Sequence, residues 1–233
     1  TVSTQTTLSA GKIIASNNSA LGAGSLSMAA GTTLQAGTTT VSLSNAIAMT
    51  GAATINAPNG DTLTLSGGVT GNFALTVNDV SSQTGTVVLS GANTYSGSTT
   101  ISYGAFTVNG SGTLGSAGTY SANITNNGTF TYGSSQDLIL SGIVSGSGAL
   151  TKSSTSTLTL GTTLTYAGTI AGTQNFTKAG SGTLILTGSM SNAHTNIISA
   201  GQLTIRSDAP SISNQTFTGT GNLVIEPSGT SFS

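Results

Sequence analysis

The chain has 233 residues, of which 36% are hydrophobic and only 4% charged, with a formal net charge of −1 and no cysteine. Its four basic residues, Lys12, Lys152, Lys178 and Arg206, are scattered, so no cluster exists to neutralise nucleic-acid phosphates or to hold an anionic membrane surface. Disulfide staples, thiol catalysis and Cys-based metal sites are excluded, and no apolar run approaches the ~20 residues that span a bilayer as a helix.

Helix signals are nearly absent: Glu occurs once, at Glu226, and the 33 glycines interrupt the chain too often for a helix of several turns. Strand signals recur instead. In chain order they are TLTL at 62–65, TVVL at 86–89, DLIL at 137–140, TLTL at 157–160 and TLIL at 183–186. Each alternates or nearly alternates, and glycine follows at once or after one residue. The chain reads as all-β, with very short strands.

Internal comparison shows why the spacing recurs. GTVVLSGANTYSGSTTISYGAFTV (85–108) lies over GTLILTGSMSNAHTNIISAGQLTI (182–205) without a gap. LTLSGGVTGNFALT (63–76) matches LILSGIVSGSGALT (138–151), and LTKSSTSTLTL (150–160) matches FTKAGSGTLIL (176–186). Equivalent leucines stand roughly 20–26 residues apart, the range of solenoid repeats. A unit this small cannot bury an apolar face alone; stacked units can, each adding a rung to parallel sheets. Residues 1–233 are therefore read as one β-solenoid of roughly ten coils, with 1–20 and 206–233 as divergent coils or caps. The insertion NDVSSQT (78–84) is one of the turns that vary in length between coils.

The 85–108 segment resembles the autotransporter-associated β-strand repeat. Gly85, Leu89, Gly91, Asn93, Thr94, Tyr95, Gly97, Thr99, Ile101, Gly104 and Val108 stand at its pattern positions, with Phe106 where Leu is usual. The 182–205 copy departs from it, carrying Met190, Ser191 and Asn192 in place of Asn-Thr-Tyr. The resemblance implies a right-handed parallel β-helix in the passenger region of a bacterial surface protein. Such passengers cross the outer membrane with the help of a C-terminal β-barrel, which is not among these residues. In the repeat, Asn93 and Tyr95 are expected at a bend, with Ile101 opening the next strand.

Candidate chemistry is sparse. The single histidine, His194, falls opposite Gly97 and is expected at a solvent-facing turn; no G-x-S-x-G elbow accompanies it. The acids are Asp61, Asp79, Asp137, Asp208 and Glu226. Asp61 and Asp137 both precede a leucine-rich strand and are expected along one edge, about three coils and roughly 14–15 Å apart, too far for paired carboxylate catalysis. Asp79, inside the 78–84 insertion, is the best single place for a local function. GSGTLG at 110–115 has glycine spacing for a phosphate loop but neither the helix nor the acid that the motif needs. Asp is too rare for a calcium-binding repeat. Sequons at Asn17, Asn109, Asn123, Asn127, Asn175 and Asn214 are read as coincidence in an Asn-, Ser- and Thr-rich chain. Thr-x-Thr pairs at 62–64, 157–159 and 163–165 raise ice binding as a minor option.

No catalytic, cofactor-binding or metal-binding residue is assigned, and no cofactor is expected. The reading is a non-catalytic stalk or adhesin module, extracellular or on the bacterial surface, able to stack head-to-tail into a fibre. Its expected partners are host-cell, matrix or neighbouring-cell surface molecules, or copies of itself. Polysaccharide-acting chemistry in an external groove is the alternative.

Overall fold

The computed structural model describes residues 4–37, 40–161, 164–172, 176–178, 181, 183–190, 195–206 and 215–226. Strands appear wherever apolar side chains alternate with Thr, Ser or Asn, because alternation puts one set inward and the other outward. Among the described residues there is no helix, hence none long and apolar enough to cross a membrane.

The first coil holds β1 (Thr6–Leu8) and β2 (Lys12–Ala15). Three full turns follow: β3 (Leu26–Met28), β4 (Thr32–Ala36) and β5 (Val41–Leu43); β6 (Ile47–Met49), β7 (Ala53–Asn56) and β8 (Thr62–Leu65); β9 (Val69–Thr70), β10 (Leu75–Val77) and β11 (Thr86–Leu89). Next come β12 (Ala92–Asn93), β13 (Thr99–Ile101) and β14 (Ala105–Gly110). The sixth coil opens on two fragments, β15 (Thr113–Leu114) and β16 (Thr119–Tyr120), before β17 (Ile124–Asn126) and β18 (Thr129–Ser134). Then follow β19 (Leu138–Leu140), β20 (Val144–Ser145) and β21 (Ala149–Lys152), and β22 (Leu158–Leu160), β23 (Leu164–Tyr166) and β24 (Ile170–Gly172). The last coils carry β25 (Phe176–Lys178) and β26 (Thr183–Leu186), β27 (Thr195–Ile198) and β28 (Gln202–Arg206), and β29 (Thr216–Thr218) and β30 (Asn222–Glu226).

These strands stack on three sides. Side one runs β1-β3-β6-β9, then the pair β12-β15, then β16-β19-β22-β25-β27-β29. Side two runs β2-β4-β7-β10-β13-β17-β20 and goes on as β23-β26-β28-β30; side three is β5-β8-β11-β14-β18-β21-β24. The ladders between strands are parallel, for example Leu63 beside Val87 and Val87 beside Phe106. The exception is an isolated antiparallel bridge, Ser116 to Thr119. The fold is thus the expected parallel β-solenoid, in keeping with a right-handed β-helix of roughly ten coils.

The core is a set of inward columns. On side three, Val41, Leu63, Val87, Phe106, Phe130, Leu150 and Ile170 follow one another, all buried, with the Phe106 and Phe130 rings stacked 5.6 Å apart. Burying each such side chain contributes about 1.5–3 kcal/mol, and each is covered only once the next coil is laid down.

Two columns contain a glycine answered by a tyrosine. Gly71, at φ +118°, stands in line with Met49; Tyr95 of the following coil is fully buried over it. Gly146, at φ +103°, stands in line with Asn126, and Tyr166 of the next coil reaches back so that Asn126 Nδ2 donates to its hydroxyl at 3.1 Å. Gly71 and Gly146 occupy the same place in the ungapped match of 63–76 with 138–151.

The sequence copies do not fall on the same sides. The 85–108 segment begins on side three with β11, whereas 182–205 begins on side two with β26. The 63–76 copy begins on side three and 138–151 on side one; 150–160 and 176–186 are displaced in the same way. Each pair is offset by one side of the triangle, which the variable turn lengths allow.

Candidate functional site

The outward residues of side three form a neutral lattice. One column is Ser42, Thr64, Val88, Thr107, Thr131, Thr151 and Ala171; beside it stand Thr62, Thr86, Ala105, Thr129 and Ala149. On side two, Thr33, Thr54, Thr76, Thr100 and Thr125 are followed by Ser145. Rows repeat at about 4.8 Å, the spacing of hydrogen-bonded strands. The expected Thr-x-Thr set does not assemble: Thr62 and Thr64 lie on side three and Thr157 and Thr159 at side one, while Thr163 is outside the described residues. A longer set with mixed Thr, Ser, Val and Ala does align, and only the register between coils could show it.

The acids do not converge. Asp61 leads into β8 on side three and Asp137 into β19 on side one, so the expected single edge is corrected: they stand at different corners. Their shared place in the repeat misleads because the copies are offset by one side. Asp79 does lie in the long turn, exposed, where Asn56 Nδ2 donates to its Oδ1 at 2.8 Å. Glu226 is paired with Arg206 at 2.8 Å. His194 and Asp208 lie outside the described residues. Among the described residues no three His, Cys, Asp or Glu side chains gather to hold a metal ion.

Side one carries a cleft of about 520 Å³ where its ladder is broken between β15 and β16. The break is made by Gly115-Ser116-Ala117-Gly118, with left-handed backbone at Gly115, Ala117 and Gly118. Thr94, Thr113, Gln136 and Asp137 line the cleft. Asp137 Oδ1 already accepts from the Thr157 amide at 2.7 Å. One carboxylate, one amide and two hydroxyls can hydrogen-bond a neutral polar molecule, but they provide no second carboxylate for acid–base hydrolysis. The GSGTLG stretch therefore leads into a turn at this break and forms no phosphate loop.

Beneath the neighbouring corner is a feature the composition did not reveal. Lys152 is 2% exposed and Lys178 fully buried, although both had counted among the scattered basic residues. Lys152 stands in the column after Val108 and Tyr132. Its Nζ donates to the Ser154 carbonyl and hydroxyl, 5.7 Å above the centre of the Tyr132 ring. Ser154 and Ser156 both donate to the Ser134 carbonyl at 2.6 Å. Burial pulls the Lys152 amine down to about 8, partly offset by the Asp137 carboxylate; burial lowers Lys178 as well. The legible signal was register: the two lysines are equivalent in the 150–160 and 176–186 match, each two residues after an inward apolar side chain.

Asn93 and Tyr95 are also deeper than expected. Asn93 closes β12 and Tyr95 stands in the expected bend between β12 and β13, yet both are fully buried, and Ile101 closes β13 instead of opening it. Asn93 Oδ1 accepts from the Val69 amide at 3.1 Å, while its Nδ2 donates to Gly91 O at 2.7 Å and Thr113 O at 2.9 Å. One side chain thereby ties three successive coils. The Tyr95 and Tyr120 rings meet edge-on at 5.5 Å, and both hydroxyls lie 2.7 Å from Thr99 Oγ1. Burial raises Tyr95 well above its ordinary value, with the Tyr120 charge adding to it, and pushes Tyr120 and Tyr166 up to about 12.

The passenger-associated-transport-repeat family matches residues 82–108 and 176–205, the two regions that the internal comparison singled out. Two segments of the chain are thus similar to this passenger repeat. Set in a parallel solenoid, they fit an autotransporter passenger stalk. No curated protein and no solved structure matches the chain.

Proposed function

We propose that the chain is a non-catalytic rod from the passenger region of a bacterial surface protein, displayed outside the cell to space and present adhesive contacts. The observation that carries this reading is the placement of both passenger-repeat matches within one continuous stacked core, beneath outer faces almost devoid of charge. Host-cell, matrix or neighbouring-cell surface molecules, or a second copy, are the partners for which such faces are suited. Coil-on-coil addition has local support: Leu223 and Ile225 of β30 are 36% and 48% exposed, while Leu203 and Ile205 beside them are buried. A further coil, whether continuing this chain or from a copy stacked head-to-tail, would cover them as β30 covers β28.

The test applies the purified chain to immobilised matrix proteins, to host and bacterial cells and to itself. Saturable retention by one of these, with rods on the order of 50 Å long by electron microscopy, is the expected result. Release of oligosaccharides from a polysaccharide panel would overturn the non-catalytic reading. A second reading, binding to an ordered surface such as ice, is favoured by the Thr and Ser columns of sides two and three. Thermal hysteresis that disappears in Thr107→Lys and Thr131→Lys variants would support it, and its absence from the parent chain would reject it.

A further inference from the structure

Three Asn-Gly pairs occur in the chain, at 59–60, 109–110 and 127–128, and all three asparagines are exposed. Exposure does not distinguish them; local geometry does. Asn59 Oδ1 is held away from its own backbone by the Thr84 hydroxyl at 2.9 Å. Gly128 is packed under the neighbouring coil, the carbonyl of Gly104 lying 2.4 Å from where its Cβ would be. At Asn109 the side chain is folded back on its own main chain, with the Gly110 amide nitrogen 2.8 Å from Oδ1. A C=O bond is only about 1.23 Å long, which keeps that nitrogen within about 4 Å of Cγ. Gly110 has φ +64° and nothing within 4 Å of a notional Cβ, as Gly60 also has, so at both pairs the glycine itself is uncrowded.

We propose that Asn109-Gly110 is a site of spontaneous deamidation poised by the fold. The Gly110 nitrogen gives up its proton to solvent base and bonds to Asn109 Cγ; the side-chain amide nitrogen leaves as ammonia, and a five-membered succinimide remains. Water then adds to one of the two imide carbonyls and opens the ring, leaving aspartate or isoaspartate at position 109. Either product places a carboxylate on side three, whose aligned outer columns carry no charge. Isoaspartate also inserts one extra main-chain carbon into β14, which is paired on both sides with β11 and β18. The strain falls on the turn that leads to the cleft on side one, where the Gly112 amide donates to Asn109 O at 3.0 Å.

The test incubates the folded 233-residue chain at mildly alkaline pH and follows the three sites by peptide mass mapping, with a gain of about 1 Da at each converted asparagine. Position 109 is expected to convert about tenfold faster than 59 and 127, the advantage of a pre-positioned nucleophile. In urea-unfolded chain the three rates should come together, and incubation in 18O-water should label the product. Equal rates in the folded chain, or the same lead for Asn109 after unfolding, would overturn the proposal. Asn109→Gln must abolish the signal at 109 while melting as the parent does. Persistence of the charge shift in that variant would equally refute it.

Discussion

At the scale of single residues, the most exacting positions are polar groups inside the stack. Asn93 satisfies one amide and two carbonyls on three coils, so removing its side chain leaves buried backbone groups unpaired. Asn93→Ala is expected to lower unfolding free energy by about 2–4 kcal/mol in urea titrations, and Asn93→Leu, which fills the space without restoring the bonds, should recover little. Lys152 and the tyrosines give the fold a pH signature. Folded, the Lys152 amine titrates near 8, against 10.5 for an ordinary lysine, so between those values the unfolded chain holds a proton that the folded chain lacks. Raising pH across that window therefore stabilises the fold. Tyr120 and Tyr166 act in the opposite sense: near 12 when folded and 10.0 when free, they stay protonated after the unfolded phenols have ionised. Stability should thus climb from about pH 8, peak near 9–10 and fall beyond, as urea midpoints measured across this range will show. Lys152→Met should raise stability at pH 7 by about 1–2 kcal/mol and weaken the climb, because an uncharged side chain then fills an apolar column.

At the scale of strands and corners, the glycine–tyrosine pairs show how a column changes width without leaving a void. A Cβ at Gly71 would lie 2.3 Å from Met49 O, and its φ of +118° is one that side chains rarely adopt. Gly71→Ala is expected to cost at least ~3 kcal/mol, read as a drop in melting temperature, since strain and backbone collision coincide. Strand positions and the parallel stack were legible in the sequence because the inward set, such as Leu63 and Leu65 or Leu184 and Leu186, alternates without error. The side on which each copy falls was not legible. It depends on how many residues each turn consumes, and the 78–85 turn is bounded by Asn78 at φ 53° with an amide clamped to Gly85 O. The cleft was hidden for a related reason: the ladder broken at Gly115 to Gly118 is a property of the neighbouring coils, which the stretch itself does not display. The burial of Lys152 and Lys178 is set by strand register, which their scattered places in the sequence do not display.

For the whole molecule, the coil is the unit that can be gained or lost. Ala53 stands beside Thr32, so excising residues 32–52 joins Gly31 to Ala53 and removes one complete turn. This deletion should leave far-ultraviolet circular dichroism and cooperative melting intact, in a rod shorter by about 4.8 Å. Excising 32–42, half a turn, should abolish cooperative melting, because every following inward side chain would be turned toward solvent or onto the wrong side.

The one-side offset between repeat copies bears on how a rod of this kind meets the world around it. Copies in strict vertical alignment would make a blade, with one working edge and two blank flanks. Here a motif whose first strand, β11, lies on side three has its counterpart strand, β26, on side two. Related segments therefore show on two of the three sides and not along a single edge.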